Sequence, residues 1–323
     1  MAVQPATTVE ILDLRHFSSQ QLRPLLDQES RVWARQLWWD YSSSAEMILR
    51  YVDARILPGY AAVEGGKLRG YSFFVYEQNK GVIGDLFVAA RNGEGRRLED
   101  RLLVHTIETL QQSPGIHRVE AQLLVHPTDT VTHPFLRQGF QRYRRLFMLL
   151  PLAGSETSEP NAVPLPAGIE IRKWTEPDFQ PAAAIIAAAY RGHVDSEIND
   201  QYRSVPGSLR FLNNIVRFPG CGAFDADASF VAVHSAARSV VGLILCSRVR
   251  ADVGHITQVC VLPEFRAHRL GAALVATAAS NLRRRGFSAL SLTVTEDNLR
   301  AVELYNQLGF STKRIFDAFV WES

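Results

Sequence analysis

Cysteine is scarce in this 323-residue chain: only Cys221, Cys246 and Cys260 occur, all in the second half, and no pair has metal-ligand spacing. No metal is therefore expected, and a reducing compartment fits. An excess of either charge is missing as well. Lys and Arg number 35 against 33 Asp and Glu, a net charge of +2, so the bulk composition gives no reason to expect a nucleic-acid partner. No uninterrupted apolar run approaches the length of a membrane span, and the opening MAVQPATTVEILDL has no basic segment followed by an apolar core. The expectation is a cytoplasmic protein with no membrane contact. No G-x-G-x-x-G follows an early strand, which argues against dinucleotide binding.

With 46% hydrophobic and 10% aromatic residues, the chain can bury two cores of about 150 residues each. Its most informative stretch is VCVLPEFRAHRLG, Val259 to Gly271, an apolar run that breaks into a basic, glycine-ended turn. A strand feeding a helix through such a turn offers free backbone N–H groups to an anion, and Arg266, His268 and Arg269 add positive charge. A phosphate-bearing ligand is the natural occupant. Leu270, Leu274, Ala278 and Leu282 then recur every four residues, and Arg283-Arg284-Arg285-Gly286 closes the helix. Ala289 to Val294 alternates as a strand, and Asn298 opens a short helix in which Ala301, Leu304, Tyr305 and Leu308 share a face before Gly309-Phe310.

Together, V-x-V-x-P-E-F-R-x-x-R-L-G-A-A-L followed by N-x-x-A-x-x-L-Y-x-x-L-G-F resembles the GCN5-related N-acetyltransferase (GNAT) superfamily over roughly Ile169 to Trp321. One departure is visible: where the family loop usually reads R/Q-x-x-G-x-G/A, its first glycine is replaced here by Arg269, while Gly271 is kept. The resemblance implies an α/β (α+β) fold, a mixed, mostly antiparallel twisted sheet flanked by helices, in which the strand ending at Val261 and the strand Leu290 to Val294 splay apart. Into that split the pantetheine arm of acetyl-CoA would lie like an added strand.

The chain also repeats itself. Phe135 to Phe140, followed by Phe147-Met148-Leu149-Leu150, parallels Tyr305 to Phe310, followed by Phe319-Val320-Trp321, and Gly139 and Gly309 stand 170 positions apart. Gly84 to Val88, followed by Arg91 to Leu98, reads as a decayed strand and phosphate loop, with Glu94 inside the loop and Leu98 in place of Gly271. Glu64-Gly65-Gly66-Lys67 marks a hairpin turn in the first copy, and strands at Phe230–Val233 and Val240–Leu245 mark the second. Such a period implies tandem domains: a degenerate N-terminal GNAT-like domain at 1–151, a linker at 152–167 whose Ala153–Pro164 is small, polar and proline-bearing, and a catalytic C-terminal domain at 168–323.

Acetyl transfer to an amine requires a neutral amine, an aligned carbonyl, oxyanion stabilisation and a proton for the leaving thiolate. The resemblance places the family's frequent general acid at Tyr305, a phenol that with an ordinary pKa of about 10 stays protonated at neutral pH. For the base, His255 and Gln258 compete, with water as the third option. Strand alternation sets His255, Thr257, Val259 and Val261 on one face and Ile256, Gln258 and Cys260 on the other. His255 falls where some relatives carry a glutamate, and histidine suits the task at physiological pH. The oxyanion donor is expected to be the backbone N–H near Val261. The expected cofactor set is Val259, Val261, Leu262, Arg266, Ala267, His268, Arg269, Leu270, Gly271, Ala272, Asn298 and Ala301, with Asn298 also placed as an N-cap. Cys260 is expected in the core, and the acidic stretch His193–Asp200 either draws an amine to the pocket or is a solvated loop. Adjacent Trp38 and Trp39 cannot face one way, so one of them is expected at a surface.

The resulting expectation is an acetyl-CoA-dependent N-acetyltransferase acting on a primary amine of a small molecule or peptide, by direct attack in a ternary complex, as a monomer or homodimer. The alternative is a non-catalytic acyl-CoA-binding or interaction module that keeps the fold.

Overall fold

The computed structural model describes residues 9–89, 93–153, 164–217, 222–266 and 268–323. In chain order the elements of the first half are β1 (Val9–Asp13), α1 (Ser19–Leu37), α2 (Ser42–Asp53), β2 (Gly59–Glu64), β3 (Lys67–Glu77), β4 (Lys80–Val88), α3 (Gly93–Gln112), β5 (Arg118–Gln122), α4 (Thr132–Arg137) and β6 (Gln141–Pro151). The second half gives β7 (Ile169–Lys173), α5 (Phe179–Ala189), α6 (Val194–Ile198), α7 (Val205–Arg217), β8 (Ala223–Phe224), β9 (Phe230–His234), β10 (Ser239–Arg250), β11 (Val253–Val261), α8 (Leu270–Arg284), β12 (Ala289–Thr295), α9 (Leu299–Gln307) and β13 (Ser311–Glu322). Gly65 and Gly66, with φ of 56° and 74°, make the tight β2–β3 turn that the sequence signals.

Two compact units form: one of Met1–Leu37, Tyr41–Arg144 and Ile315–Ser323, the other of Trp38–Asp40 and Arg145–Arg314. They differ from the sequence halves 1–151 and 168–323 at the closing strands. Most of β6 belongs to the second unit and most of β13 to the first. The reason is edge pairing: β12 takes β6 as its antiparallel neighbour over its whole length, Ala289 opposite Pro151 through Thr295 opposite Arg145. In the same way β5 takes the end of β13, Arg118 opposite Glu322 through Gln122 opposite Ala318.

In the first unit the sheet runs β1-β2-β3-β4-β5-β13, and α3 packs Leu102, Leu103, Ile107 and Leu110 against it. In the second it runs β6-β12-β11-β10-β9-β7. α5 and α7 cover one face, where Ile186, Leu212, Val231, Leu243 and Cys260 share a core. α8 covers the other, and its Leu274, Ala278 and Leu282 are fully buried, as their four-residue recurrence predicts. A Cβ at Gly254 would stand 2.8 Å from Leu282 Cδ1, so the glycine lets α8 lie directly on β11.

Candidate active site

One extra residue opens the second unit. Leu245 of β10 faces Gln258 of β11, but the next residue, Cys246, faces Ile256, so Thr257 is a bulge. Its hydroxyl donates to the Leu245 carbonyl oxygen at 3.0 Å and fills the gap in the ladder. The parallel pairing of β11 with β12 ends at the same level, its last partners being Ile256 and Leu292. Beyond it β12 stays with β6 to Thr295 and β11 stays with β10 to Val261. The two strands part, and among the described residues no strand lies along the freed edge of β11.

The bulge also shifts the side-chain phase, which corrects the alternation read from the sequence. Gly254 faces α8, whereas Cys260 joins the α5–α7 core, so His255 and Gln258 stand on one face instead of two. His255 lies in the paired part of the strand, before the fork. It is 5% exposed, bonded through Nδ1 to Ser291 Oγ at 2.9 Å, and met edge-on by Trp39 with ring centres 4.8 Å apart. Burial lowers its pKa to about 3. The ring is neutral and enclosed between Ser291 and Trp39. Trp39 is the buried member of its pair, with Trp38 turned outward.

The phosphate-loop residues divide by what already occupies them. Leu262 N–H donates to Val241 O at 2.9 Å, and Arg266 Nη2 donates to Ala189 O at 2.5 Å, bracing the loop against the end of α5. Ala267 lies outside the described residues. His268 and Arg269 are exposed. Arg269 has φ of 58°, the left-handed region that favours glycine, which explains the usual family residue there and turns this side chain to solvent. Among the described residues no side chain caps the first turn of α8, which also has no acidic residue. A Cβ at Gly271 would meet nothing nearer than Leu304 Cδ2, at 3.7 Å. The fold has room for a Cβ there, in ordinary contact with Leu304. Leu270 and Ala272 are buried and hold the helix in place. Asn298 accepts from Ala301 N–H at 3.3 Å, so these two form the N-cap of α9.

Tyr305 is 7% exposed on α9. Burial first, then the charge of Asp195, raise its pKa well above the ordinary value, with Arg145 opposing. Around it is a polar cluster that sequence reasoning left largely unassembled. Arg145 Nη1 donates to Asp195 Oδ1 at 2.8 Å and to Thr295 Oγ1 at 2.9 Å. Asp195 Oδ2 lies 3.5 Å from His193 Nδ1, and the His193 ring stands edge-on to Tyr190 at 5.3 Å. Tyr190 stacks on Tyr202 at 4.5 Å and donates to Gln258 Oε1 at 2.8 Å. The same oxygen accepts the Val259 N–H at 3.0 Å. Cys260 sits in the adjoining core, and burial pushes its thiol up to about 12, so it stays protonated.

The first unit carries the same fork in closed form. Phe73 faces Asp85 and Phe74 faces Ile83, leaving Gly84 as the bulge, and β4–β5 pairing ends at Ile83 opposite Ala121. A Cβ at Gly84 would stand 2.1 Å from the Phe73 ring, which is why this bulge is a glycine. Asp85 takes the place of Gln258: it accepts the Leu86 N–H at 2.8 Å and the Tyr41 hydroxyl at 2.6 Å. Here, however, His126 Nε2 also bonds the Leu86 carbonyl at 2.8 Å, so both backbone groups of Leu86 are used. Glu29 joins Asp85, Tyr41 and Tyr71 beneath, and burial together with the neighbouring Asp85 raises its pKa well above the carboxylate range. α3 adds Glu94 in its first turn.

Residues 197–310 match the family model described as acetyltransferase (GNAT) family. The chain is 28% identical over 296 residues to a mycothiol acetyltransferase of Thermobifida fusca, covering 85% of this chain and 80% of the relative. A mycothiol acetyltransferase of Saccharomonospora viridis is 28% identical over 231 residues, covering 69% and 67%. Among solved structures, a GCN5-related N-acetyltransferase from Sphaerobacter thermophilus superposes with a TM-score of 0.67 at 18% identity, over 99% of this chain and 97% of that one. A tandem GNAT protein from the clavulanic acid biosynthesis pathway gives 0.59 at 14% identity, over 98% of each chain. Residues 197–310 thus carry a GNAT-family acetyltransferase domain, and the chain has the fold of solved GNAT proteins. It is an N-acetyltransferase, and enzymes of this family use acetyl-CoA.

Proposed function

We propose that the second unit transfers an acetyl group from acetyl-CoA to the primary amine of a small molecule or peptide, by direct attack in a ternary complex. The observation that carries this reading is the coincidence, within one unit, of the β11–β12 fork, the uncapped α8 N-terminus and buried Tyr305. Acetyl-CoA supplies the activated acetyl thioester. The leading N–H groups of α8 and the missing side chain at Gly271 suit its pyrophosphate, and the freed edge of β11 suits an extended arm laid along it. The fit is local to α8. Arg266 is spent on bracing, and Asn298 and Ala301 on capping.

Tyr305 holds a proton at its hydroxyl through neutral pH, ready to hydrogen-bond and protonate a departing sulfur. The amine loses its proton to water, since His255 is enclosed and Gln258 has no basic atom. The relatives' shared name makes the amine precursor of mycothiol the first acceptor to try.

Calorimetric titration with acetyl-CoA tests the cofactor assignment, and free-thiol release in an amine screen tests the transfer. Tyr305→Phe is expected to lower kcat by about 10²–10⁴-fold with little change in acetyl-CoA Kd. Equal turnover in that variant removes Tyr305 from the proton path.

A further inference from the structure

The first unit holds a cavity of about 330 Å³ between α1 and the end of β4, a volume suited to a small molecule. Arg31, Val32, Arg35 and Gln36 of α1 line it together with Phe87 of β4, and among the described residues no carboxylate does. Arg31 and Arg35 stand one helical turn apart and are exposed, and among the described residues neither has an ion pair or a hydrogen bond. Two like charges at that spacing repel each other, and an anion between them removes the repulsion. Gln36 adds a buried amide oxygen with no partner among the described residues. Because no neighbour fixes that amide, it can turn its NH₂ to an anion instead. Val32 and Phe87 are buried and supply apolar surface beside these polar groups. Packing does not require such polarity. In the second unit α5 follows the first strand as α1 does here, reads FQPAAAIIAAA with no charged residue, and shares a core with Cys260 through Ile186. Phe87 comes two residues after Asp85 as Cys260 comes two after Gln258, so equivalent strand positions meet an apolar helix in one unit and two arginines and an amide in the other.

We propose that this cavity is a binding site for a small phosphomonoester, whose head pairs with Arg31 and Arg35 and whose organic body rests on Val32 and Phe87. Guanidinium forks match phosphate oxygens, and two of them balance the nearly two negative charges that a phosphomonoester carries at neutral pH. Gln36 completes the ring of donors. The first unit, whose fork is closed, thus keeps a ligand of its own. The proposal goes beyond the acetyl-transfer reading and does not rest on it, because none of these residues belongs to the β11–β12 fork or to α8.

The test is a calorimetric titration of the full-length protein with phenyl phosphate, in the presence of excess CoA so that the anion site at α8 is filled. One phenyl phosphate per chain is expected to bind, at least about tenfold more tightly than inorganic phosphate, which lacks the apolar body, or benzyl alcohol, which lacks the charge. Combining Arg31→Gln with Arg35→Gln is expected to weaken phenyl phosphate at least about tenfold and to leave KM for acetyl-CoA unchanged. Lysine at both positions, which keeps the charge without the fork, should restore part of the affinity. No binding to the wild type, equal binding of inorganic phosphate or benzyl alcohol, or undiminished binding in the glutamine variant overturns the proposal. A glutamine variant that loses affinity for acetyl-CoA overturns it too, by assigning the arginines to the cofactor. Failure of CoA to bind bears on the transfer reading alone, since the difference between wild type and variant isolates the cavity. The wild-type comparison of the three probes decides the matter even if a variant does not fold.

Discussion

His255 and Gln258 lie three positions apart on β11 and share a face, yet only one of them is at the fork. His255 bonds Ser291 under Trp39 in a dry environment, and its pKa falls to about 3 from an ordinary 6.5. In the unfolded chain the ring takes a proton below about pH 6.5, but in the folded chain only near pH 3, so the unfolded state binds more protons across that window. Stability is therefore expected to fall as the pH drops through it, with a slope approaching about 1.4 kcal/mol per pH unit from this residue. Chemical denaturation between pH 7 and 5 should show the slope in the wild type and its reduction in His255→Asn, which preserves a bond to Ser291. The acidic limb of the pH–rate profile should be the same in both proteins. A limb that vanishes with His255 would restore it as the base.

Among the elements, α8 shows how one helix serves packing and binding without conflict. Its buried stripe ends at Leu270 and Ala272, while at Gly271 between them a Cβ would meet only Leu304, in ordinary van der Waals contact. Gly271→Ala is therefore expected to leave the melting temperature unchanged or slightly raised, because alanine is the better helix former by about 1 kcal/mol. It is expected to weaken acetyl-CoA binding at least about tenfold if the pyrophosphate lies against that surface. The two forks offer a second comparison. Among the described residues the Val259 carbonyl at β11 has only a long 3.5 Å contact from the Tyr190 hydroxyl, whereas at β4 Leu86 is bonded on both sides by Asp85 and His126. Calorimetry is expected to find one acetyl-CoA per chain. A second site that disappears in a His126 variant would show that the first fork opens.

At the scale of the whole molecule, the repeat is not a pair of self-sufficient halves. β12 has Leu290 and Leu292 buried and relies on residues 145–151 for its full antiparallel ladder. A fragment of residues 168–323 would present that apolar edge to solvent and would lack Arg145. It is expected to aggregate or melt without a cooperative transition, and to recover order when residues 141–151 are restored through a linker. A cooperative melt of the bare fragment, with activity, would assign the exchanged strand no role.

The turn Val259–Gly271, the α8 and α9 periodicities and the spacing between them were enough, by themselves, to identify the superfamily, because helix period, capping and turn chemistry are local properties. The inequality of the two copies was legible for the same reason, in Glu94 and Leu98 against Arg266 and Gly271. The bulge at Thr257 had no signal of its own, unlike Gly84, where a glycine inside a strand marks one. Without it, strict alternation put His255 and Gln258 on opposite faces. The enclosure of His255, the bracing contact of Arg266, and the meeting of Arg145 with Asp195 depend on residues far apart in the chain. Arg145 above all reads as one basic residue among several on a strand. Only strand pairing, decided by which edges are left unpaired once each sheet is built, delivers it to Tyr305.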